Sequence, residues 1–158
     1  MKVCQNLALK ALITVSVVGL LQSTLCVRPV MADNVSNSCN NATIKGAYGL
    51  QDIGSRKTKN GTVDYTAVRT AKFDGNGNHQ GKGISSIDGV IKAYTITATY
   101  KVATDCSFEL KGTQTFEDGT STPYSQFGVV IRGGKEIIEL QTISGRNQPG
   151  RYQRIENY

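Results

Sequence analysis

The segment VIKAYTITATYKV, residues 90–102, decides the fold of this chain. One of its faces carries an apolar or aromatic residue at every second position: Tyr94, Ile96, Ala98, Tyr100 and Val102. Threonines occupy most of the positions between them. A period of two residues is typical of a β-strand with one buried face, whereas an amphipathic helix repeats every 3.6 residues. We therefore predict a long strand here.

The same alternation recurs along the chain in runs rich in Thr, Tyr, Val and Ile. The predicted strands are residues 43–53, 65–73, 79–87, 90–102, 106–116, 124–132, 135–143 and 149–155. The DGNG sequence at residues 74–77 is a strong β-hairpin signal, and the polar residues 54–64 are predicted to form the longest connection. Since no segment shows a sustained helical period, the chain is predicted to be all-β.

Strands joined by short turns favour an antiparallel up-and-down meander. An open meander leaves unpaired edges, and eight strands are enough to close into a barrel. We predict a single eight-stranded barrel domain over residues 43–158. A sandwich of two four-stranded sheets is the alternative.

The first 32 residues predict export from the cytoplasm. Two lysines flank the start of an apolar run over residues 7–25, and Ala32 is a small residue of the kind that a signal peptidase requires. We therefore predict a signal peptide over residues 1–32 and a secreted or periplasmic location, with no transmembrane span after its removal. A polar leader, residues 33–42, precedes the barrel.

Cys39 and Cys106 are the two cysteines of the predicted mature chain. Two cysteines in an oxidising compartment usually pair, so we predict a disulfide that ties the leader to the start of the fifth strand. The two residues are 67 positions apart. A loop of this length corresponds to ~4 kcal/mol of stabilisation in the chain-entropy picture.

The charge distribution argues against a nucleic-acid partner. Lys2, Lys10 and Arg28 leave with the signal peptide, which lowers the net charge from +6 to +3. The remaining basic residues are scattered, without a basic run that contains interleaved aromatic residues. Nucleic-acid binding is therefore not predicted.

His79 is the single histidine and lies directly after the predicted hairpin turn, which predicts a solvent-exposed ring. One histidine is a poor basis for a zinc site. The turn itself begins like a calcium loop at Asp74, but Ser85 stands where the bidentate glutamate belongs. We predict neither a metal site nor a cofactor.

Aromatic residues supply the candidate ligand contacts. Five of them fall on apolar strand faces: Tyr48, Tyr94, Tyr100, Phe108 and Phe127. Aromatic residues at a period of two usually form a core. In a barrel they can also line a pocket for a small apolar molecule with one polar end.

Arg69 shares a strand face with Tyr65 and Phe73, so it points into the barrel if that face is the inner one. A charge in such a place must be paired or hydrogen-bonded. Glu139, on the same face as Ile137, is the candidate partner. Three interpretations remain open: a structural ion pair, a solvent-facing arginine, or an anchor for the acidic end of a ligand.

Several motifs of the chain resemble a known group of proteins. They are Cys39 followed by IKGAYGL at residues 44–50, FDGNGN at residues 73–78, and the segment from Tyr94 to Cys106. They resemble small secreted bacterial proteins of unknown function that look like calycin-type barrels, similar in shape to allene oxide cyclase and the lipocalins. The resemblance covers residues 39–155 and implies a fold rather than an activity.

These observations predict an exported, non-catalytic barrel that binds a small apolar or amphipathic ligand or a partner in the cell envelope. The candidate ligand-binding residues are Tyr48, Arg69, Tyr94, Tyr100, Phe108 and Glu139. One alternative is a cyclase or isomerase that acts inside the barrel. Another is a filled barrel that serves as a structural or interaction module, with a packed lumen and an apolar patch outside.

Export of the chain by its own host is expected to remove residues 1–32 and oxidise the two remaining cysteines. Intact mass spectrometry should show a chain that begins at Asp33 and is two hydrogens lighter than its reduced form. A chain that still begins at Met1, or one that begins at Cys26 with an attached lipid, would contradict this prediction.

Overall fold

The computed structural model describes residues 38–156, and these form a β-domain. The strands are β1 Gly46–Thr58, β2 Gly61–Phe73, β3 Asn78–Ile87, β4 Val90–Val102, β5 Ser107–Phe116, β6 Ser121–Ile131, β7 Glu136–Gln141, β8 Arg146–Asn147 and β9 Pro149–Arg154. The predicted signal peptide lies outside the described residues. Within them, no helix is long and apolar enough to span a membrane.

The strands close into a barrel. From β1 to β7 each strand pairs antiparallel with the next, and β9 pairs with both β7 and β1, which completes the ring. The two-residue strand β8 pairs beside the end of β1. The predicted eight-stranded antiparallel barrel is confirmed, with β8 as one extra strand, and the sandwich alternative is wrong.

The β1–β2 hairpin is longer than predicted. Residues 54–64 are not a connection, because β1 continues to Thr58 and β2 begins at Gly61, which leaves Lys59 and Asn60 as the turn. Strand pairing is made by backbone groups, so a polar sequence does not by itself end a ladder. The prediction of a long loop here was therefore wrong.

Two inward-facing glycines show how tightly the strands bend as the ring closes. A β-carbon at Gly112 in β5 would lie 2.2 Å from the carbonyl oxygen of Thr97 in β4. At Gly128 in β6 it would lie 2.3 Å from the carbonyl oxygen of Ile138. These distances are far inside van der Waals contact, so only glycine permits this approach of the neighbouring backbone.

The residues before β1 close one end of the barrel, which we name the capped end. The predicted disulfide between Cys39 and Cys106 is present. A short 3-10 helix, Asn41–Ile44, follows it, and the side-chain oxygen of Asn41 accepts a hydrogen bond of 2.8 Å from the Val102 amide. The leader is therefore fixed to the start of β5 by a covalent bond and to the end of β4 by a hydrogen bond.

Arg154, near the end of β9, holds the rest of the cap. Its guanidinium donates hydrogen bonds to the carbonyl oxygens of Thr43, Lys45 and Gly134 and to the hydroxyl of Tyr48. One side chain therefore satisfies carbonyl groups from two separate loops. Such groups are costly to bury without a donor.

An aromatic cluster fills the lumen beneath the cap. Phe73 lies at its centre, with ring centroids between 5.0 and 5.9 Å from those of its neighbours Tyr48, Tyr100, Phe108 and Tyr152. All four contacts are edge-to-face, the arrangement that aromatic rings prefer. The capped half of the barrel is therefore a packed core.

Gly112→Ala is expected to destabilise the barrel by about 2–3 kcal/mol, because the added methyl group overlaps the backbone of β4. Gly49→Ala is the matched control: nothing lies within 4 Å of a β-carbon at Gly49, which also sits within a strand. Urea unfolding of both variants measures the difference. Equal midpoints would contradict this account of barrel closure.

Candidate functional site

The middle of the lumen holds a buried arginine. Arg69 of β2 donates a hydrogen bond of 3.2 Å to Oδ2 of Asp52 and one of 2.8 Å to the hydroxyl of Tyr152. The Tyr152 hydroxyl in turn donates to Oε1 of Gln126 at 2.7 Å. Side chains of β1, β2, β6 and β9 thus form one hydrogen-bonded chain inside the barrel.

The three interpretations of Arg69 can now be compared with this geometry. The solvent-facing interpretation was wrong, because Arg69 is only 4% exposed. Its salt bridge is made to Asp52 and not to Glu139. The alternation of Tyr48, Leu50 and Asp52 along the first strand places Asp52 on the inner face, so a signal for this partner was present in the sequence.

Glu139 of β7 approaches the same site from the other side. A β-carbon at Gly150 of β9 would lie 2.1 Å from Oδ1 of Asp52 and 2.3 Å from Oε1 of Glu139, so the two carboxyl groups lie over one glycine. Burial, and then the neighbouring Asp52 carboxylate, raise the pKa of Glu139 well above its ordinary value. Glu139 is therefore expected to keep its proton near neutral pH.

The six predicted ligand-binding residues separate into two groups. Arg69, Tyr94 and Glu139 face the middle of the lumen, whereas Tyr48, Tyr100 and Phe108 belong to the aromatic cluster under the cap. The Tyr48 hydroxyl bonds the Gly134 carbonyl, and the Tyr100 hydroxyl bonds the Asn41 carbonyl. These two hydroxyls are thus engaged by the protein itself. A ligand-binding role for any of the six stays a prediction.

His79 is buried, so the prediction of a solvent-exposed ring was wrong. It pairs in register with Phe73 across the hairpin, and the two ring centroids are 4.9 Å apart. Burial lowers the pKa of His79 to about 3, which makes the ring neutral under physiological conditions. The His79 side chain points inward because of its position in the strand alternation, and its closeness to a turn does not change this.

The opposite end of the lumen, which we name the arginine end, has a different lining. Arg56 of β1 and Arg146 of β8 are direct neighbours in the pairing of these strands, and both are half-buried. The Arg56 guanidinium lies over the ring of Tyr65, 4.5 Å from its centroid. Tyr124 faces the same region from β6, and the centroid of its ring lies 5.1 Å from Cζ of Arg69.

Polar atoms at this end lack hydrogen-bond partners within the described part of the chain. They include the Tyr124 hydroxyl and both amide atoms of Gln114 and Gln148, all in residues that are at most 1% exposed. The hydroxyls of Tyr65 and Tyr94 also lack a partner at hydrogen-bonding geometry. Arg56 and Arg69, respectively, still lie close enough to them to interact electrostatically. Sequence reasoning missed this region because Arg56 falls within the supposed loop.

Residues 38–156 contain no group of three or more His, Cys, Asp or Glu side chains arranged to hold a metal ion. Comparison with known proteins gives no further assignment: no family model, no curated protein and no solved structure matches the chain. The site must therefore be interpreted from its own geometry.

Glu139→Gln is expected to change how stability depends on pH. The folded wild-type protein holds a proton on Glu139 above pH 4.5, its ordinary pKa, whereas the unfolded chain releases it. Wild-type stability should therefore fall as pH rises from 7 to 9, by up to about 1.4 kcal/mol per pH unit, whereas between pH 5 and 7 the buried neutral His79 adds an opposite slope to the wild type and the variant alike. The variant carries no such proton and should lack this slope.

Urea unfolding at pH 5, 7 and 9 measures this difference. Glu109→Gln is the control, since the Glu109 carboxylate is exposed on the outer wall and bound to Lys111. Parallel pH profiles of the wild type and Glu139→Gln would show that Glu139 is ionised in the folded protein.

Proposed function

We propose that this protein is an exported binding barrel whose arginine end takes up a small amphipathic molecule without transforming it. The observation that supports this proposal is the group of buried polar atoms without protein partners at Tyr124, Gln114 and Gln148. The Cys39–Cys106 disulfide is consistent with export.

Buried polar groups in proteins almost always have a hydrogen-bond partner, and leaving one without any costs about 1–3 kcal/mol. Both amide atoms of Gln114 and Gln148 are in this position, which provides two donor groups and two acceptors within one region. A core selected for stability alone would place apolar side chains there. A bound molecule with both polar and apolar parts satisfies these groups and also contacts the tyrosine rings.

Grooves on the outside of the barrel are weaker candidates for this role. One of about 710 Å³ runs over β2, β3 and β4, and its lining includes Thr70, Lys82, Gln80 and Thr97. These polar side chains lie on the outer wall, where water already satisfies them. The groove therefore gives no reason to expect a particular ligand.

A second candidate function is protein binding through the outer wall. Phe127 and Val129 of β6 lie directly opposite Leu140 and Ile138 of β7. All four side chains are between 41% and 48% exposed, although Phe127 was expected in the core. Contiguous apolar patches on a soluble protein often mark interaction sites, and the filled-barrel alternative anticipates such a patch.

The alternative of a cyclase or isomerase has one observation in its favour. Glu139 is a buried carboxylic acid that keeps its proton beside Asp52, and perturbed carboxyl groups are frequent in active sites. However, Asp52 is bound to Arg69, whose second polar contact is already made to Tyr152. A network of this kind is equally expected of a structural ion pair, so binding is the function we favour.

Tyr124→Phe tests the proposed function because it removes one unpartnered hydroxyl with little change of volume. It is expected to leave stability unchanged or slightly raised while weakening ligand retention. Tyr48→Phe is the comparison, because the Tyr48 hydroxyl donates a hydrogen bond to the Gly134 carbonyl and accepts one from Arg154. This variant should lower the free energy of unfolding by about 1–2 kcal/mol.

The measurements are urea unfolding and native mass spectrometry of protein exported by its own host, followed by extraction of any bound molecule. A co-purified molecule in the wild type that is depleted in Tyr124→Phe supports the proposal. A bare wild-type mass, together with no binding from host extract, overturns it and directs attention to the apolar patch of β6 and β7.

A further inference from the structure

We propose that Arg56 and Arg146 form an oxyanion site at the arginine end, which binds the carboxylate or phosphate group of an amphipathic ligand. This inference rests on the proposed function and names the chemical class of the ligand.

The two arginines are held side by side. Arg56 and Arg146 are directly opposed in the antiparallel pairing of β1 and β8, so their side chains leave the sheet on the same face with β-carbons about 5 Å apart. Both are half-buried, so each is partly desolvated and still accessible from solution. Two guanidinium groups so placed can bind one oxyanion jointly.

Neither arginine has a carboxylate partner among the described salt bridges. Arg146 donates to two neutral acceptors, Oε1 of Gln141 at 3.0 Å and Oγ1 of Thr122 at 3.4 Å. The Nε and Nη2 atoms of Arg56 are buried without an acceptor at hydrogen-bonding geometry. Asp52, the acidic residue on the same face of β1, is bound to Arg69 instead.

This arrangement leaves positive charge only partly compensated in a partly desolvated place, since Asp52 and Tyr65 interact with Arg56 but neither forms a salt bridge with it. Burial, and then the adjacent Arg56 charge, lower the pKa of Arg146, while burial lowers that of Arg56. Arginine nevertheless remains protonated in proteins, so the two charges repel each other. An anion between them removes the repulsion and supplies the missing acceptors.

Neutral groups complete the site. The amide nitrogens of Gln148 and Gln141 lack acceptors within residues 38–156, and the hydroxyl of Tyr124 is a further potential donor. Gln148 is fully buried. The rings of Tyr65 and Tyr124 provide apolar surface beside these donors, which is where the uncharged part of the ligand would lie.

Three probes with the same alkyl chain test the charge requirement: octanoate, octyl phosphate and octanol. Isothermal titration at low ionic strength should show at least one anionic probe binding the wild type at least tenfold more tightly than octanol. The arms with octanoate and octyl phosphate distinguish a planar carboxylate from a tetrahedral oxyanion. Added salt should weaken the binding of the anions and leave that of octanol unchanged.

Arg56→Gln and Arg146→Gln, singly and together, should abolish the preference for the anion. The matched control is Lys57→Gln with Lys59→Gln, which removes two exposed charges from the same hairpin and should keep that preference. Arg56→Gln removes the contact with the Tyr65 ring and Arg146→Gln removes two hydrogen bonds, so urea unfolding without ligand is used to show that each variant is folded under the titration conditions.

Equal affinity for octanol and the anionic probes would overturn the oxyanion site while leaving the binding barrel intact. Failure of every probe at millimolar concentration would also overturn it. If, in addition, no molecule co-purifies with the wild-type protein, the proposed function is overturned too. A preference that survives in the double arginine variant would place the anion elsewhere on the chain.

Discussion

The buried contact between Arg69 and Asp52 is the constraint on which the arrangement of the lumen depends. A charged guanidinium inside a barrel is tolerated only with a partner, and removing one member of a buried pair typically costs 3–5 kcal/mol. Through Tyr152 and Gln126 the same contact links four strands of the ring. A shift of one residue in any of these strands would turn its polar group outward and leave the others unpaired.

The two halves of the lumen differ in how many of their polar groups are hydrogen-bonded, although under the cap both ring nitrogens of His79 also lack a partner within residues 38–156. Under the cap, the Tyr48 hydroxyl and the loop carbonyls are bonded to Arg154 or to each other, and the aromatic rings pack edge to face. At the other end, amides and a hydroxyl are buried without such partners. Natural proteins concentrate violations of this kind at functional sites, which is the physical reason for placing binding at the arginine end.

The sequence predicted strands well where one face is apolar, and poorly where it is not. The run from Tyr94 to Val102 matches β4, whereas the polar end of the β1–β2 hairpin was assigned to a loop. Arg56 was hidden by that error. Alternation identified Arg69 and Glu139 as possible inward charges, but the partner of Arg69 is Asp52 on the adjacent strand of the same hairpin, which alternation also places inward. Only the approach of Glu139 to Asp52 depends on ring closure.

The sequence by itself determined the all-β class, the strand-forming segments, the hairpin at residues 74–77 and the Cys39–Cys106 pair, because alternation, turn residues and cysteine number are local properties. Only the tertiary structure decided which polar residues meet. Asp52 and Glu139 are 87 positions apart, and β9 brings them together by pairing with both of their strands. Closure of the ring is a property of all eight strands together, so no single segment encodes the site.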